Sequence, residues 1–289
     1  MFDKLRVVSN LVVLPHSVFA LPFALASLLT VTHGKPSFHV VFWVVVCMVT
    51  ARMTAMAYNR LVDADVDAQN PRTKNRDIPA GRISPLQVKI LTVVCAFGFV
   101  MACYPLNALA FKLSPLALVI LFFYSHTKRF TWTSHLFLGL ALGVAPVGAW
   151  VAVTGQLAVE PFLMTGAVIC FLAGFDILYA TQDEDFDKKA GLHSWVVRWG
   201  VQRSVLASRL FHGGMLVFLT IFGFRVGFGT SYYIGMAFIG VVLIYQHVLA
   251  YTFETHYGEV RFKLSPRMMG LNGWIAVIYL LVVAVAIWL

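Results

Sequence analysis

Residues 134–159 of this chain read SHLFLGLALGVAPVGAWVAVTGQLAV, a stretch without a single Asp, Glu, Lys or Arg. A helix of about 20 residues crosses the hydrocarbon core of a bilayer, so this stretch is long enough to span a membrane. Further uncharged runs cover residues 7–31, 36–51, 92–111, 113–125, 161–175, 210–224, 226–253 and 268–289. The pattern predicts an all-α membrane bundle of about nine transmembrane helices, because a helix pairs its backbone N–H and C=O groups within one segment.

Composition and charge support lipid as the solvent. The chain is 60% hydrophobic and 12% charged, whereas a soluble domain is about 25% charged. A net charge of +9 would suggest nucleic acid as a partner of a soluble protein. Here the outer segments hold only Lys35, Lys112 and Arg225 of the 22 basic residues, as the positive-inside rule requires. We therefore predict an inner-membrane protein with a cytoplasmic N-terminus, whose partner is the lipid bilayer and not nucleic acid.

Most of the 13 acidic residues lie in two short stretches at the predicted cytoplasmic ends of helices. In the first stretch, Asn59, Asp63 and Asp67 are spaced four residues apart. On one continuous helix this spacing places all three on the same face. Neighbouring carboxylates on a helix face repel one another, so the stretch predicts a bound cation.

The second stretch repeats the pattern further along the chain. Asp183 and Asp187 are again four residues apart, with Asp176 and Tyr179 on the same predicted helix face. If the two acidic faces meet, they enclose oxygen ligands without Cys or His. Such ligands suit hard divalent cations, and Mg²⁺ in particular takes one or two carboxylates plus substrate phosphates.

Basic residues follow the first acidic stretch and the inner end of another predicted helix, and they suggest what the metal would hold. Arg72 comes soon after the first stretch, and Lys128 and Arg129 follow Tyr124 at the inner end of another predicted helix. Arg and Lys are the usual partners of phosphate oxygens. The combination predicts a site for a diphosphate group, and the surrounding apolar helices predict an apolar tail on that diphosphate.

A plainer interpretation also applies to some of these charges. Cytoplasmic loops carry mixed charge, and pairing with nearby basic residues would explain Asp77, Glu184 and Asp185 without any function. Membrane anchoring competes equally with diphosphate binding for Lys128 and Arg129. Mixed loop charge does not explain the acidic pairs that reach into apolar helices, and for these pairs we favour a functional role.

Three motifs in this sequence resemble those of UbiA-type prenyltransferases. They are Asn59-xxx-Asp63-xxx-Asp67 followed by residues 72–81 (RTKNRDIPAG), Tyr124-xxx-Lys128-Arg129, and Asp176-xx-Tyr179-xxx-Asp183-xxx-Asp187-xxx-Gly191. The resemblance extends over nearly the whole chain, so we expect a single domain over residues 1–289. The first motif departs from many members of the family, which have Asn-Asp where this chain has Asn59-Arg60.

The resemblance implies a Mg²⁺-dependent transfer of a polyprenyl group from polyprenyl diphosphate to a small aromatic acid. It implies that Asn59, Asp63 and Asp67 hold one Mg²⁺ and that Asp183 and Asp187 hold a second. Diphosphate and acceptor would be bound with the help of Arg72, Tyr124, Lys128, Arg129, Asp176 and Tyr179. The residues of the motifs are most similar to those of the 4-hydroxybenzoate polyprenyltransferases of ubiquinone biosynthesis.

Two alternatives remain open at this point. A related branch of the family would prenylate 1,4-dihydroxy-6-naphthoate in menaquinone biosynthesis, with nearly the same motifs. A cation-coupled transporter also keeps carboxylates in its helices. A transporter would place them near the middle of the membrane, whereas here they cluster at one surface next to arginines.

The first prediction concerns the acidic residues themselves. Asp63→Asn or Asp187→Asn removes one carboxylate charge at nearly constant shape, so the protein should insert and fold normally but retain little transferase activity. The measurement is prenyl transfer by purified variant and wild-type protein. Near-normal turnover in either variant would exclude that residue as a metal ligand.

Overall fold

A computed structural model describes residues 20–249, 252–256, 259–263 and 266–289, with side chains for residues 20–249 and 271–289. The helices are α1 Leu21–Val31, α2 Phe38–Val62, α3 Ala64–Gln69, α4 Pro85–Cys103, α5 Ala108–Thr127, α6 Ser134–Thr154, α7 Val159–Ala180, α8 Glu184–Lys189, α9 Trp195–Val226, α10 Thr230–Leu249 and α11 Pro266–Trp288. A 3₁₀ turn, Thr181–Asp183, connects α7 to α8. Two strands, β1 Thr252–His256 and β2 Glu259–Lys263, pair antiparallel between α10 and α11.

The predicted class of fold is confirmed. Eight described helices are long and apolar enough to cross a membrane, and the shorter apolar α1 adds a ninth apolar helix. The predicted first span, residues 7–31, lies partly outside the described residues, because the structure describes only its portion from residue 20 onward. The exact number of spans and the cytoplasmic N-terminus therefore stay predictions.

The helices begin and end where local chemistry allows. The Ser84 hydroxyl accepts from Gln87 N (3.2 Å) and the Gln87 side chain accepts from Ser84 N (3.0 Å), a capping box that starts α4. The Ser194 hydroxyl accepts from Val197 N at the start of α9. Gly227 ends α9 at φ 77°, a left-handed conformation that glycine adopts without steric cost.

The described helices divide into two compact units. Helices α2 to α5 form the first unit, within residues 37–127. Helix α1 and the described elements from α6 to α11 form the second.

In the second unit, hydroxyl groups tie neighbouring helices together through backbone carbonyls. The donors are Ser27 of α1 to Pro146 O (2.8 Å), Thr165 of α7 to Gly143 O (2.6 Å) and Ser208 of α9 to Gly174 O (2.7 Å). Such bonds and small residues are typical of helix contacts in membranes, where lipid removes most of the hydrophobic driving force. Near the other end of the unit, Gln246 Nε2 of α10 donates to Asn272 Oδ1 of α11 at 3.0 Å, and both side chains are fully buried.

Close approach of α6 to α7 depends on Gly139. A Cβ atom at this position would lie 2.7 Å from Ile169 O and 2.8 Å from Ile169 Cα, which are backbone atoms with little room to move. On the same helix, a Cβ at Gly148 would meet nothing within 4 Å. Replacing each glycine by alanine therefore distinguishes the effect of helix packing, which applies at Gly139, from the effect of helix propensity, which applies at both positions.

We expect Gly139→Ala to destabilise the protein by about 1–3 kcal/mol, because overpacking forces the two helices apart. Gly148→Ala, the matched control, should be neutral or slightly stabilising, since Ala favours helix over Gly. Thermal unfolding of the detergent-solubilised variants measures both effects. Equal stabilities for the two variants would contradict the close contact.

Candidate active site

The first acidic motif lies at the end of α2 and runs into α3. The predicted continuous helix is interrupted at Asp63, which has φ −92° and ψ 3° and both ends α2 and begins α3. The backbone bonds of Asp63 N to Asn59 O (2.9 Å) and of Asp67 N to Asp63 O (2.7 Å) nevertheless persist through the break. Asn59 Nδ2 also donates to Asp63 Oδ2 at 2.9 Å. The predicted four-residue ladder is therefore preserved despite the interruption.

Asp67 is buried, with 5% of its surface exposed, and it is bound by Arg76, which the sequence analysis included in the first motif but did not pair with this carboxylate. Arg76 Nη1 donates to Asp67 Oδ1 at 2.7 Å and to Oδ2 at 2.8 Å. The Thr73 hydroxyl donates to Asp67 O at 3.2 Å, and Arg76 N donates to Thr73 O at 2.9 Å. The loop after α3 thus folds back on the carboxylate.

Two arginines of α2 and one tyrosine of α5 interact electrostatically with one another or with the carboxylates of this motif. Tyr124 interacts with the charges of Arg52, Arg60 and Asp63. Arg60 interacts with Asp63 as well, and with Asp67 and Arg76. Arg60, the residue at which the first motif departs from many members of the family, therefore places positive charge near both carboxylates.

Arg52 lies deeper in the apolar part of α2. Its Nε atom is buried and makes no hydrogen bond within the described part of the chain. Sequence reasoning assigned it no role, although a charged residue inside an apolar span is itself a signal of function.

The second acidic motif lies in the second unit, and here too the predicted single helix is divided. α7 ends at Ala180, the 3₁₀ turn ends at Asp183, and Asp187 lies on α8 with 4% of its surface exposed. Gly191 follows at φ 66°, and Leu192 N donates to Asp187 O at 2.9 Å. A left-handed turn after α8 explains why the motif ends in glycine.

Asp176 is bound by a buried histidine that sequence reasoning did not identify. His135 Nδ1 of α6 lies 2.6 Å from Asp176 Oδ2 of α7, and His135 is fully buried. Trp195 N, at the start of α9, donates to His135 Nε2 at 3.3 Å. The carboxylate and the imidazole therefore connect three helices, a role in addition to the predicted contact with substrate.

The other predicted site residues are described by their exposure or by a single contact. Arg72 and Arg129 are exposed, and the Lys128 carbonyl accepts from His193 N at 2.8 Å. Tyr179 packs near Phe175, with 6.2 Å between ring centroids.

Two acidic residues pair with nearby basic residues, as the interpretation without a functional role expects. Asp77 pairs with Arg82 at 2.6 Å, and Glu184 pairs with Lys188 at 2.7 Å.

The donor set fits a hard divalent ion that is completed by its substrate. The motifs offer carboxylates and one amide, which are the ligands Mg²⁺ prefers. Among the residues that the structure describes, no three His, Cys, Asp or Glu side chains form a ready metal cage.

Comparison with known proteins identifies the class. Residues 20–266 match the UbiA prenyltransferase family, and the chain belongs to that family. It is 31% identical over 219 residues to the 4-hydroxybenzoate octaprenyltransferase of Marinobacter nauticus, covering 75% of this chain and 74% of the relative. It is 30% identical over 246 residues to the enzyme of the same name from Vibrio parahaemolyticus, covering 85% and 82%.

Solved structures agree with this assignment. The apo structure of a UbiA homolog from Aeropyrum pernix K1 superposes with a TM-score of 0.82 at 29% identity, covering 94% of this chain and 98% of that one. A UbiA homolog from Archaeoglobus fulgidus bound to GPP and Mg²⁺ shares the fold with a TM-score of 0.75 at 19% identity, covering 98% of this chain and 100% of that one. The chain is a membrane prenyltransferase, so the transporter alternative is set aside.

The bridge between Asp176 and His135 can be tested by a double-mutant cycle. Asp176→Asn and His135→Gln should each lower thermal stability, because each leaves a buried polar partner unsatisfied. Together they should cost less than the sum, with a coupling of about 1 kcal/mol or more. Lys188→Gln, which removes the exposed pair with Glu184, should change stability little. Strictly additive losses would contradict the bridge.

Proposed function

We propose that this prenyltransferase transfers a polyprenyl group from polyprenyl diphosphate to 4-hydroxybenzoate, as a single domain in the inner membrane with its active site toward the cytoplasm. The relatives named above carry that activity in their names. The observation that carries the choice of an aromatic acid is Arg52, on the same helix as the first acidic motif, whose Nε atom is buried and makes no hydrogen bond within the described part of the chain.

The position of Arg52 suits the carboxylate of an acceptor. Arg52 precedes Asn59 by seven residues, which is about 10 Å along an α-helix. The charges of Arg52 and Asp63 both act on Tyr124. A carboxylate that enters an apolar site requires a cationic partner, and a guanidinium offers two parallel hydrogen bonds to it. An acceptor held there would have its acid group in the membrane and its ring nearer the diphosphate.

In this proposal the acidic motifs hold the metal and the basic residues hold the diphosphate. Asn59, Asp63 and Asp67 would hold one Mg²⁺, and Asp183 and Asp187 would hold a second. The ions would neutralise the leaving diphosphate and assist its departure. Arg72, Lys128 and Arg129 would bind the remaining phosphate oxygens, and Tyr124, Asp176 and Tyr179 would line the substrates. The apolar helices would exclude water, which would otherwise convert the allylic cation to an alcohol.

The reaction would exchange one bond for another at the prenyl carbon. The bond from that carbon to the diphosphate oxygen breaks, and a bond forms to the ring carbon ortho to the hydroxyl group. A base then takes the proton from that carbon, and the electron pair of the C–H bond restores the aromaticity of the ring.

The test is product analysis by mass. Purified protein in lipid vesicles is incubated with Mg²⁺, a polyprenyl diphosphate and either 4-hydroxybenzoate or 1,4-dihydroxy-6-naphthoate. A prenylated 4-hydroxybenzoate, absent when a chelator removes divalent cations and restored when Mg²⁺ is added back, is the expected result. Prenylation of the naphthoate alone would refute the choice of acceptor, and product formation in the chelator would refute the role of the metal.

We expect Arg52→Gln to raise the KM for 4-hydroxybenzoate about tenfold or more, because it removes a charged hydrogen bond in an apolar site. The KM for the prenyl diphosphate should stay near the wild-type value, and Arg52→Lys should be intermediate. The methyl ester of the acceptor gives a sharper control. Wild-type protein should prefer the acid to the ester, and Arg52→Gln should lose that preference. An unchanged preference would exclude Arg52 as the partner of the carboxylate.

A further inference from the structure

Asp67 has its negative charge neutralised by the protein itself. Both of its oxygens accept from the same Nη1 atom of Arg76, at 2.7 and 2.8 Å. The Asp67 side chain is 7% exposed, whereas the Arg76 side chain is 29% exposed. A buried carboxylate without a counter-charge is costly, so Arg76 occupies a position at Asp67 that a metal cation would otherwise take.

The loop that carries Arg76 is held by contacts that do not involve the Arg76 side chain. Asn70 Oδ1 accepts from Arg72 N at 2.9 Å, and Asn70 O accepts from Lys74 N at 2.9 Å. The Thr73 hydroxyl donates to Asp67 O, and Thr73 is 3% exposed. The guanidinium can therefore move away from Asp67 while the backbone of the loop stays in place.

Arg60 makes this movement easier. Its positive charge acts on Arg76 and on Asp67 and Asp63. Two guanidinium groups thus accompany two carboxylates, and they repel one another. Once another cation neutralises Asp67, the repulsion favours the release of Arg76, which remains near enough to bind a newly arrived anion.

We infer that Arg76 is an exchangeable counter-ion, which holds Asp67 in the metal-free protein and moves to the diphosphate when metal and diphosphate bind together. The inference rests on the proposed function of Asp67 as a metal ligand. It predicts that metal alone binds weakly, because it must displace Arg76. It also predicts that metal and diphosphate strengthen each other's binding, because the displaced guanidinium finds a new partner.

The experiment measures metal binding directly. Mn²⁺, a paramagnetic substitute for Mg²⁺, is titrated into the full chain in lipid nanodiscs, and the free ion is counted by electron paramagnetic resonance. Each titration is repeated with farnesyl thiodiphosphate, an analogue whose leaving group departs very slowly. Wild-type protein should bind Mn²⁺ weakly alone and about tenfold more tightly with the analogue.

Arg76→Gln should bind Mn²⁺ alone about tenfold more tightly than the wild type does, and the strengthening by the analogue should shrink. Arg82→Gln is the matched control, because it removes the same charge from the same loop but from the pair with Asp77. It should behave like the wild type. Thermal unfolding of each variant verifies that the compared proteins are folded.

A permanent structural bridge between Arg76 and Asp67 gives the opposite pattern. Arg76→Gln would then lose stability and bind Mn²⁺ alone no better than the wild type, which would overturn the inference. Equal gains in Arg76→Gln and Arg82→Gln would also overturn it, since they would reflect net charge alone. The choice of acceptor is judged separately. Failure to prenylate 4-hydroxybenzoate leaves the Mn²⁺ result standing, and normal prenylation does not rescue a failed Mn²⁺ result.

Discussion

A charged side chain inside hydrocarbon costs about 3 kcal/mol or more unless a group of opposite charge accompanies it, and this cost organises the protein. It confines most acidic residues to helix ends, and it favours a partner of opposite charge for a carboxylate that is buried or partly buried there. Asp67 has Arg76 and Asp176 has His135. Under the proposed function, the partner of each carboxylate decides whether that carboxylate is available to a metal.

The two described partnerships differ in kind. His135 is fully buried and bound to the backbone of a third helix, so its contact with Asp176 is suited to hold helices in place. Arg76 is partly exposed and carried by a loop with its own anchors, so its contact with Asp67 is suited to exchange. A carboxylate in one acidic motif can thus stabilise the fold while a carboxylate in the other takes part in binding, although both look alike in the sequence.

The apolar runs sufficed to predict the helices, and the four-residue spacing sufficed to predict the ladder of Asn59, Asp63 and Asp67, because both patterns are local. The breaks at Asp63 and Ala180 were not predictable, since no Pro or Gly marks them. The contact of His135 with Asp176 joins residues 41 positions apart, and no local pattern reveals such a pair. The acidic spacing predicted a cation site, and the resemblance of three motifs assigned roles to individual residues. Arg76 was only part of the first motif, because its contact with Asp67 depends on how the loop folds, and Arg52 received no role.

The amide pair of Gln246 and Asn272 bears on how the protein is made. Each side chain is fully buried and is polar within a mainly apolar helix. Either helix alone would expose an amide to lipid, whereas together they satisfy part of each other's hydrogen-bonding capacity. We therefore expect α10 and α11 to leave the insertion machinery as a pair, with α10 remaining beside the channel until α11 has been synthesised.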